Sequence, residues 1–179
     1  MISAGGSFEP ADYSAIETLR DGRRIEVRAL RPADEAGLLA AIGRASSESL
    51  YRRFFGVRRH FSEKEIAFYV KVDFVSQVAL VAVADEAGQQ VIVAGGRYIV
   101  VQPGTAEVAF AVFDEYQGQG IGAALMRHLT TIARHAGLER LVAEVLPENA
   151  PMLGVFEKCG LRVGKRHEPG VVHVTLELT

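Results

Sequence analysis

Residues 107–123 read EVAFAVFDEYQGQGIGA, and the fold turns on this stretch. Apart from Glu107, residues 107–113 are apolar and rich in β-formers, with no Gly or Pro, which predicts a buried strand. Residues 114–117 are polar and read as a turn. Gly118-Gln119-Gly120-Ile121-Gly122 then opens a helix that continues Ala123-Ala124-Leu125-Met126-Arg127. A strand, a Gly-rich turn and a helix N-terminus together make an anion site. Unpaired backbone N–H groups and the positive end of the helix dipole point at one spot, and glycine lets the backbone approach a phosphate closely. The spacing is not that of a dinucleotide-binding G-x-G-x-x-G unit, and no Gly-Lys-Ser/Thr follows as in a Walker loop.

Upstream, residues 78–84 and 91–101 are apolar β runs, separated by a turn at 85–88. Pro103-Gly104 is a second turn, so these runs and 107–113 predict an antiparallel meander. Gly95-Gly96 inside the second run predicts a bulge or a close backbone approach. Downstream, the helix should span 120–136 and close at Gly137. A strand at 141–146, a helix at 151–158, Gly160 and a hairpin of strands 161–166 and 171–178 follow, with the turn at Pro169-Gly170.

Toward the N-terminus, residues 1–20 read as an extended arm, and Asp21-Gly22 as a turn. Ile25, Val27 and Ala29 alternate on one face of a first strand. Pro32, Asp34 and Glu35 suit a helix start, followed by a stripe of Leu38, Leu39, Ile42 and Ala45. In 46–59 (SSESLYRRFFGVRR), Leu50, Tyr51, Phe54 and Phe55 recur at helical spacing, and Gly56 stops the element. Arg52, Arg53, Arg58 and Arg59 cluster there, either as a patch for an acidic partner or for ligand phosphates, or as a solvated helix face. Ser62-Glu63-Lys64-Glu65 is a capping box opening a helix to Val70, with Ile66, Phe68, Tyr69 and Val70 on its apolar side.

Composition bounds the function. The 179 residues, 49% apolar, suggest one domain with one core. Twenty basic residues against 22 acidic ones give no pull toward nucleic acid. One Cys excludes an internal disulfide and a Cys-based zinc site and fits a reducing, cytoplasmic setting. No signal peptide is visible, and no apolar run nears the roughly 20 residues that span a bilayer. None of the five His pairs with another at ligand spacing, so no metal is expected. Cys159, at a helix end, reads as a small buried residue rather than a nucleophile.

Gln117-x-x-Gly120-x-Gly122, directly after a buried strand, resembles the acetyl-CoA-binding motif of the GNAT superfamily of N-acetyltransferases. The element order matches too. The resemblance implies an α+β GNAT fold, a mixed and mostly antiparallel sheet flanked by helices, with a 1–20 arm and the acetyltransferase domain at 21–179. It implies coenzyme A held by Phe110, Val112, Gln117, Gly118, Gln119, Gly120, Ile121, Gly122, Ala123, Asn149 and Phe156, with the loop amides on the pyrophosphate. Asn149 through Leu161 resembles the family's Asn…Tyr-Glu-Lys-x-Gly-Phe segment. There the Asn binds the pantetheine arm or the substrate, but a helix N-cap with Pro151 in the first turn explains Asn149 equally. The family's Tyr, which protonates the leaving thiolate, is Phe156 here, and core packing is the simpler role for that ring.

Ser46-Ser47-x-Ser49-x-Tyr51-x-Arg53-Phe54-Phe55, with Asp73, Leu80-Val81-Ala82 and the start TLRDGRRIEVRALRPAD (residues 18–34), looks like the acetyltransferase domain of Pat-type protein lysine acetyltransferases. That resemblance covers residues 18–165. In that group the catalytic base is a Glu at the start of the strand before the Gly-rich loop, the position of Glu107. An attacking amine must be neutral, yet a lysine amine has a pKa near 10.4, so a base is needed, directly or through water. A carboxylate in an apolar cleft would suit that task; a strand-end Glu facing water is the alternative. Backbone N–H near Val112 would stabilise the thioester oxygen. The acceptor would be a protein lysine. A small amine acceptor and a non-catalytic acyl-CoA-binding module remain as alternatives. A second copy could pair along the apolar last strand as a homodimer.

Overall fold

The computed structural model describes residues 7–54 and 60–179. Its elements are β1 (Ser14–Thr18), β2 (Arg24–Ala29), α1 (Glu35–Arg44), α2 (Ser47–Phe54), α3 (Glu63–Val70), β3 (Gln77–Glu86), β4 (Gln89–Gln102), β5 (Thr105–Val112), α4 (Ile121–His135), β6 (Arg140–Val145), α5 (Ala150–Glu157), β7 (Arg162–Glu168) and β8 (Val171–Glu177). The strands form one sheet in the order β1-β2-β3-β4-β5-β6-β8-β7, antiparallel except for β5 beside β6. Alternation along β5 divides the molecule. Ala106, Val108 and Phe110 join the main core, which also takes Ile121, Leu125, Leu129 and Ile132 of α4 and Phe156 of α5. Ala109, Ala111 and Phe113 face the other way and line a pocket with residues of α1, α2 and α3.

The order confirms the α+β expectation and departs from it in four places. Part of the expected arm is β1, whose alternating residues pair with β2 from Ser14↔Arg28 to Thr18↔Arg24. Its faces are weakly apolar, so periodicity hides it. Three side-chain contacts tie it to α4: the Tyr13 hydroxyl lies 2.5 Å from His128 Nδ1, and Glu17 Oε1 lies 2.6 Å from His128 Nε2 and accepts from Arg127 at 2.7 Å. Secondly, the apolar last strand is not an edge. β8 sits between β6 and β7 and buries Val172, Val174 and Leu176. The edge is β7, almost wholly exposed and bearing Arg162, Lys165 and Arg166, which discourages strand addition. The expected pairing of a second copy along residues 171–178 therefore has no free edge to use.

Thirdly, the irregularity in β4 falls beside the glycines, not on them. Ala82↔Ala94 is followed by Val83↔Ile92, so Val93 bulges out. Gly96 is the close approach: a Cβ there would stand 2.7 Å from Phe110 Cδ1 and 3.1 Å from Leu129 Cδ1. Lastly, Phe68, expected on the apolar face of its helix, is 49% exposed. The Ser62–Glu65 capping box is present in full. The expected stop of the second helix at Phe55-Gly56, and Arg58 and Arg59, lie outside the described residues.

Two local devices hold the helices between β2 and β3. Arg28 donates two hydrogen bonds of 2.8 Å to Asp34 ahead of α1. Burial works to raise the Asp34 carboxyl, but Arg28 and the Arg31 N–H outweigh it and hold it below its usual range. Asp73 accepts from the Ser76 hydroxyl and from the N–H groups of Val75, Ser76 and Gln77, bonds that hold its carboxyl down at about 2 and fix the turn into β3.

Candidate active site

β5 and β6 run side by side for three residues only, Thr105↔Arg140 to Glu107↔Val142, and then part. The gap has a defined chemistry. Phe113 N–H donates to Val93 O in β4. Antiparallel pairing alternates, and Val112 sits opposite Ala94 and Phe110 opposite Gly96, so the N–H groups of Val112 and Phe110 point away from β4 and into the gap. Two backbone donors thus face a space where β6 has turned aside. The rings of Phe110 and Phe156, 5.9 Å between centroids, pack in the core behind them.

The Gly-rich loop lies at the far end of this gap. A 3-10 turn, Asp114–Tyr116, leads into it, and Gly118 and Gly120 adopt φ of 77° and 90°. Gly120 is the N-cap of α4 and supplies no side-chain cap, so the first amides of that helix are left for a ligand. Gly122 comes within 3.5 Å of Val155 at its Cβ position and lets α4 and α5 close together. Gln117 has a structural side chain: it donates to Val112 O at 2.9 Å and Ser49 Oγ at 3.2 Å, joining the loop to β5 and α2. Gln119 Oε1 is a buried oxygen with no hydrogen-bond partner among the described residues; a flip of that amide puts its NH2 donor in the same place. Ile121 is buried and Ala123 exposed at the start of α4. The loop, its donors and the open space at Gly118 fit a pyrophosphate.

One basic residue at the loop escaped the sequence reading. Arg20, at the tip of the β1–β2 hairpin, donates to Gly118 O at 3.2 Å. Nearby, the Arg23 guanidinium lies 4.7 Å from the centre of the Tyr116 ring, whose hydroxyl donates to Glu86 at 2.8 Å. Only the pairing of β1 with β2 brings these arginines to the loop. Asn149 is buried and accepts from Met152 N–H at 3.3 Å as the N-cap of α5. Phe156 is 1% exposed in the main core, and Cys159 donates its thiol to Phe156 O.

Glu107 stands at the last position of β5 paired with β6 and is exposed, so the apolar cleft expected around it is not there. It lines an open cleft of about 520 Å³ with Val142 and Glu144 of β6, His173 and Thr175 of β8 and Arg166 of β7. His173 pairs at 3.0 Å with Glu168 and lies 3.7 Å from Glu144. The physical reason is register: residue 107 shares its face with 109 and 111, but those lie under α1–α3, while 107 lies beyond them. Among the described residues no group of three or more His, Cys, Asp or Glu is arranged to hold a metal. Nor is any helix there long and apolar enough to cross a membrane.

Comparison with known proteins agrees with this geometry. Residues 44–161 match the Acetyltransferase (GNAT) family. Acetyltransferase Pat of Mycolicibacterium smegmatis is 33% identical over 162 residues, covering 89% of this chain; the chain spans 47% of that protein's length. Acetyltransferase PA5475 of Pseudomonas aeruginosa is 33% identical over 152 residues, 84% of this chain and 81% of that one. The GNAT domain of S. lividans PAT superposes with a TM-score of 0.84 at 35% identity, covering 95% of this chain and 99% of that one. An acetyltransferase from Salmonella typhimurium, solved with its cofactor acetyl-CoA, shares the fold at 18% identity and a TM-score of 0.70, over 87% of this chain and 94% of that one. The parted β5–β6 pair, the uncapped Gly-rich loop and these matches place the chain in the GNAT acetyltransferase family.

Proposed function

We propose that the chain moves acetyl from acetyl-CoA to a protein lysine by direct attack, with Glu107 as general base. The observation that supports this most is the position of Glu107: the last residue of β5 paired with β6, exposed to an open cleft at the mouth of the gap. Likeness to Pat-type proteins in the N-terminal half supports lysine as the acceptor. Glu107 accepts a proton from the lysine ammonium, directly or through one water. The neutral amine attacks the thioester carbonyl, forming the C–N bond. The tetrahedral intermediate loses the C–S bond, and coenzyme A leaves as thiolate. The nitrogen proton released in that step ends on the thiolate, which makes an acid at position 156 unnecessary.

Strand geometry refines which amide meets the oxyanion. Val112 lies five residues from Glu107, about 17 Å along an extended strand, and Phe110 three residues away, about 10 Å. A glutamate and one water bridge the shorter span and not the longer. The Phe110 N–H therefore takes the oxyanion role expected near Val112, and the Val112 N–H holds the donor farther toward the loop. Transfer of labelled acetyl to lysine-containing protein, measured with Glu107→Gln alongside, tests the reading. Loss of cofactor binding in that variant would show a structural Glu107; transfer at the parent rate would place the base elsewhere.

A further inference from the structure

Arg97 of β4 is 8% exposed. It stands opposite Ala79 of β3 and Ala109 of β5, and Gly95 and Ala111 continue the same face. The floor around it is made of small side chains, so its guanidinium has room on both sides. It donates to Tyr69 O at 2.7 Å and Gln77 Oε1 at 3.4 Å and lies 4.7 Å over the Tyr69 ring. These contacts engage two of its five N–H donors with neutral groups. Among the described residues no carboxylate lies within ion-pair distance of Arg97. Arg53 of α2 lines the same pocket of about 90 Å³. Burial, and then the Arg53 charge, push Arg97 down to about 10, and burial also lowers Arg53, an effect opposed by Tyr69 and Glu107. Two cations thus line one pocket, and an arriving anion would offset the burial of Arg97 and its repulsion by Arg53. Glu107 is two residues from Ala109 on the same face, a diagonal neighbour of Arg97, roughly 7–8 Å away between Cα atoms.

We propose that Arg97 and Arg53 form a carboxylate-binding site beside Glu107, occupied during turnover by a carboxylate of the reacting molecules. The site rests on the reading of Glu107 as the acceptor's base only for its role in catalysis; as a binding site it stands alone. The carboxylate has two sources, an acidic group next to the acceptor amine or the far end of a dicarboxylic acyl group on coenzyme A. The strut that Arg97 provides to α3 through Tyr69 O coexists with this role, because it uses other N–H groups.

The test begins with binding. Glutarate, titrated into the full chain by calorimetry, should bind saturably, and Arg97→Gln and Arg53→Gln should each weaken it about 10- to 100-fold, the usual weight of a charge-assisted hydrogen bond. If Arg97→Gln does not fold, Arg53→Gln carries the comparison. Two kinetic arms separate the sources. In one, acetyl-CoA is paired with lysine peptides bearing a neighbouring Glu or Gln; in the other, succinyl-CoA and butyryl-CoA are paired with the Gln peptide. A carboxylate preference in one arm, of about 10-fold in kcat/KM and lost in Arg53→Gln, identifies the source. Glutarate that does not bind, with no preference in either arm, overturns the site and leaves lysine acetylation standing. Glutarate binding with no transfer to any lysine peptide would sink the lysine reading and leave the site.

Discussion

The two sides of β5 are made of different materials. Toward the gap and the Gly-rich loop, the molecule presents backbone: amides of Phe110 and Val112, amides of the loop, and the uncapped start of α4. Toward α1–α3 and the open cleft it presents side chains: Glu107, Arg97, Arg53 and, across the cleft, Glu144 and His173. A backbone site is read by any ligand with the right oxygens, and its shape depends on a few residues in one short stretch. A side-chain site is drawn from strands and helices far apart in the chain, and its exposed members, Glu107 among them, can change without disturbing the fold. The donor side suits a cosubstrate common to a family. The acceptor side suits a partner that differs between members.

The strongest way to break this contrast is at Glu107. Glu107→Gln keeps the shape and should lower turnover by about 100- to 10,000-fold while leaving acetyl-CoA affinity nearly unchanged. Steady-state kinetics across pH should show one ionisation lost, with partial recovery at high pH where more amine is neutral. A matched loss of cofactor affinity would mean that the two sides are not separable.

Gly120→Val attacks the backbone side. At φ of 90° a branched residue is strained, and its side chain would stand where phosphate oxygens approach. Calorimetry should show acetyl-CoA binding weakened about 10- to 100-fold. Gly170→Val, with φ of 81° in the β7–β8 turn, meets open space and provides the control for strain alone. Equal losses in both variants would remove the loop from the binding site.

Gly96→Ala probes the layer that supports both sides. The new Cβ collides with Phe110 at 2.7 Å and crowds Leu129. Overpacking should cost about 1–3 kcal/mol in denaturant unfolding, and the displaced β5 should slow turnover as well. Unchanged stability would show that Phe110 moves freely and cannot hold its N–H in register.

The smallest effect is expected at Arg20. It is exposed, and its reach to the loop is a single 3.2 Å bond to Gly118 O. Arg20→Ala should weaken acetyl-CoA about 3-fold at low salt and less as ionic strength rises. A salt-independent loss would point to a distorted hairpin rather than a missing charge.

Legibility followed the same division. The loop, the strand before it and the helix after it were readable because they are contiguous and their glycines have a conformational reason. The helix was expected at 120–136 and spans Ile121–His135. Ser14–Thr18 was hidden because it is an edge strand with an exposed Ile16 and only half-buried neighbours. The last hairpin was legible as two strands, but nothing in a hairpin says which strand faces the sheet; insertion of β8 beside β6 is a tertiary choice. Arg97 gave no signal, since an Arg after Gly95-Gly96 looks like a strand-surface residue. Arg53 was noticed only as one of four arginines. Arg52 does form the ordinary helix pair with Glu48, at 2.6 Å, while Arg53 turns inward.

The parted strands have a consequence for the protein without its cosubstrate. Two inward-facing amides are left without a strand partner in the middle of an otherwise laddered sheet, so a ligand bound in the gap would act as a missing rung. Hydrogen exchange at Phe110 and Val112 should then be fast in the free protein and slow by orders of magnitude when acetyl-CoA lies in the gap, while Ala109 and Ala111, bonded to β4, stay protected throughout. The same filling adds stability by mass action, about 2.7 kcal/mol at a hundred times the dissociation constant. The folded chain would thus report cosubstrate supply through its own resistance to unfolding.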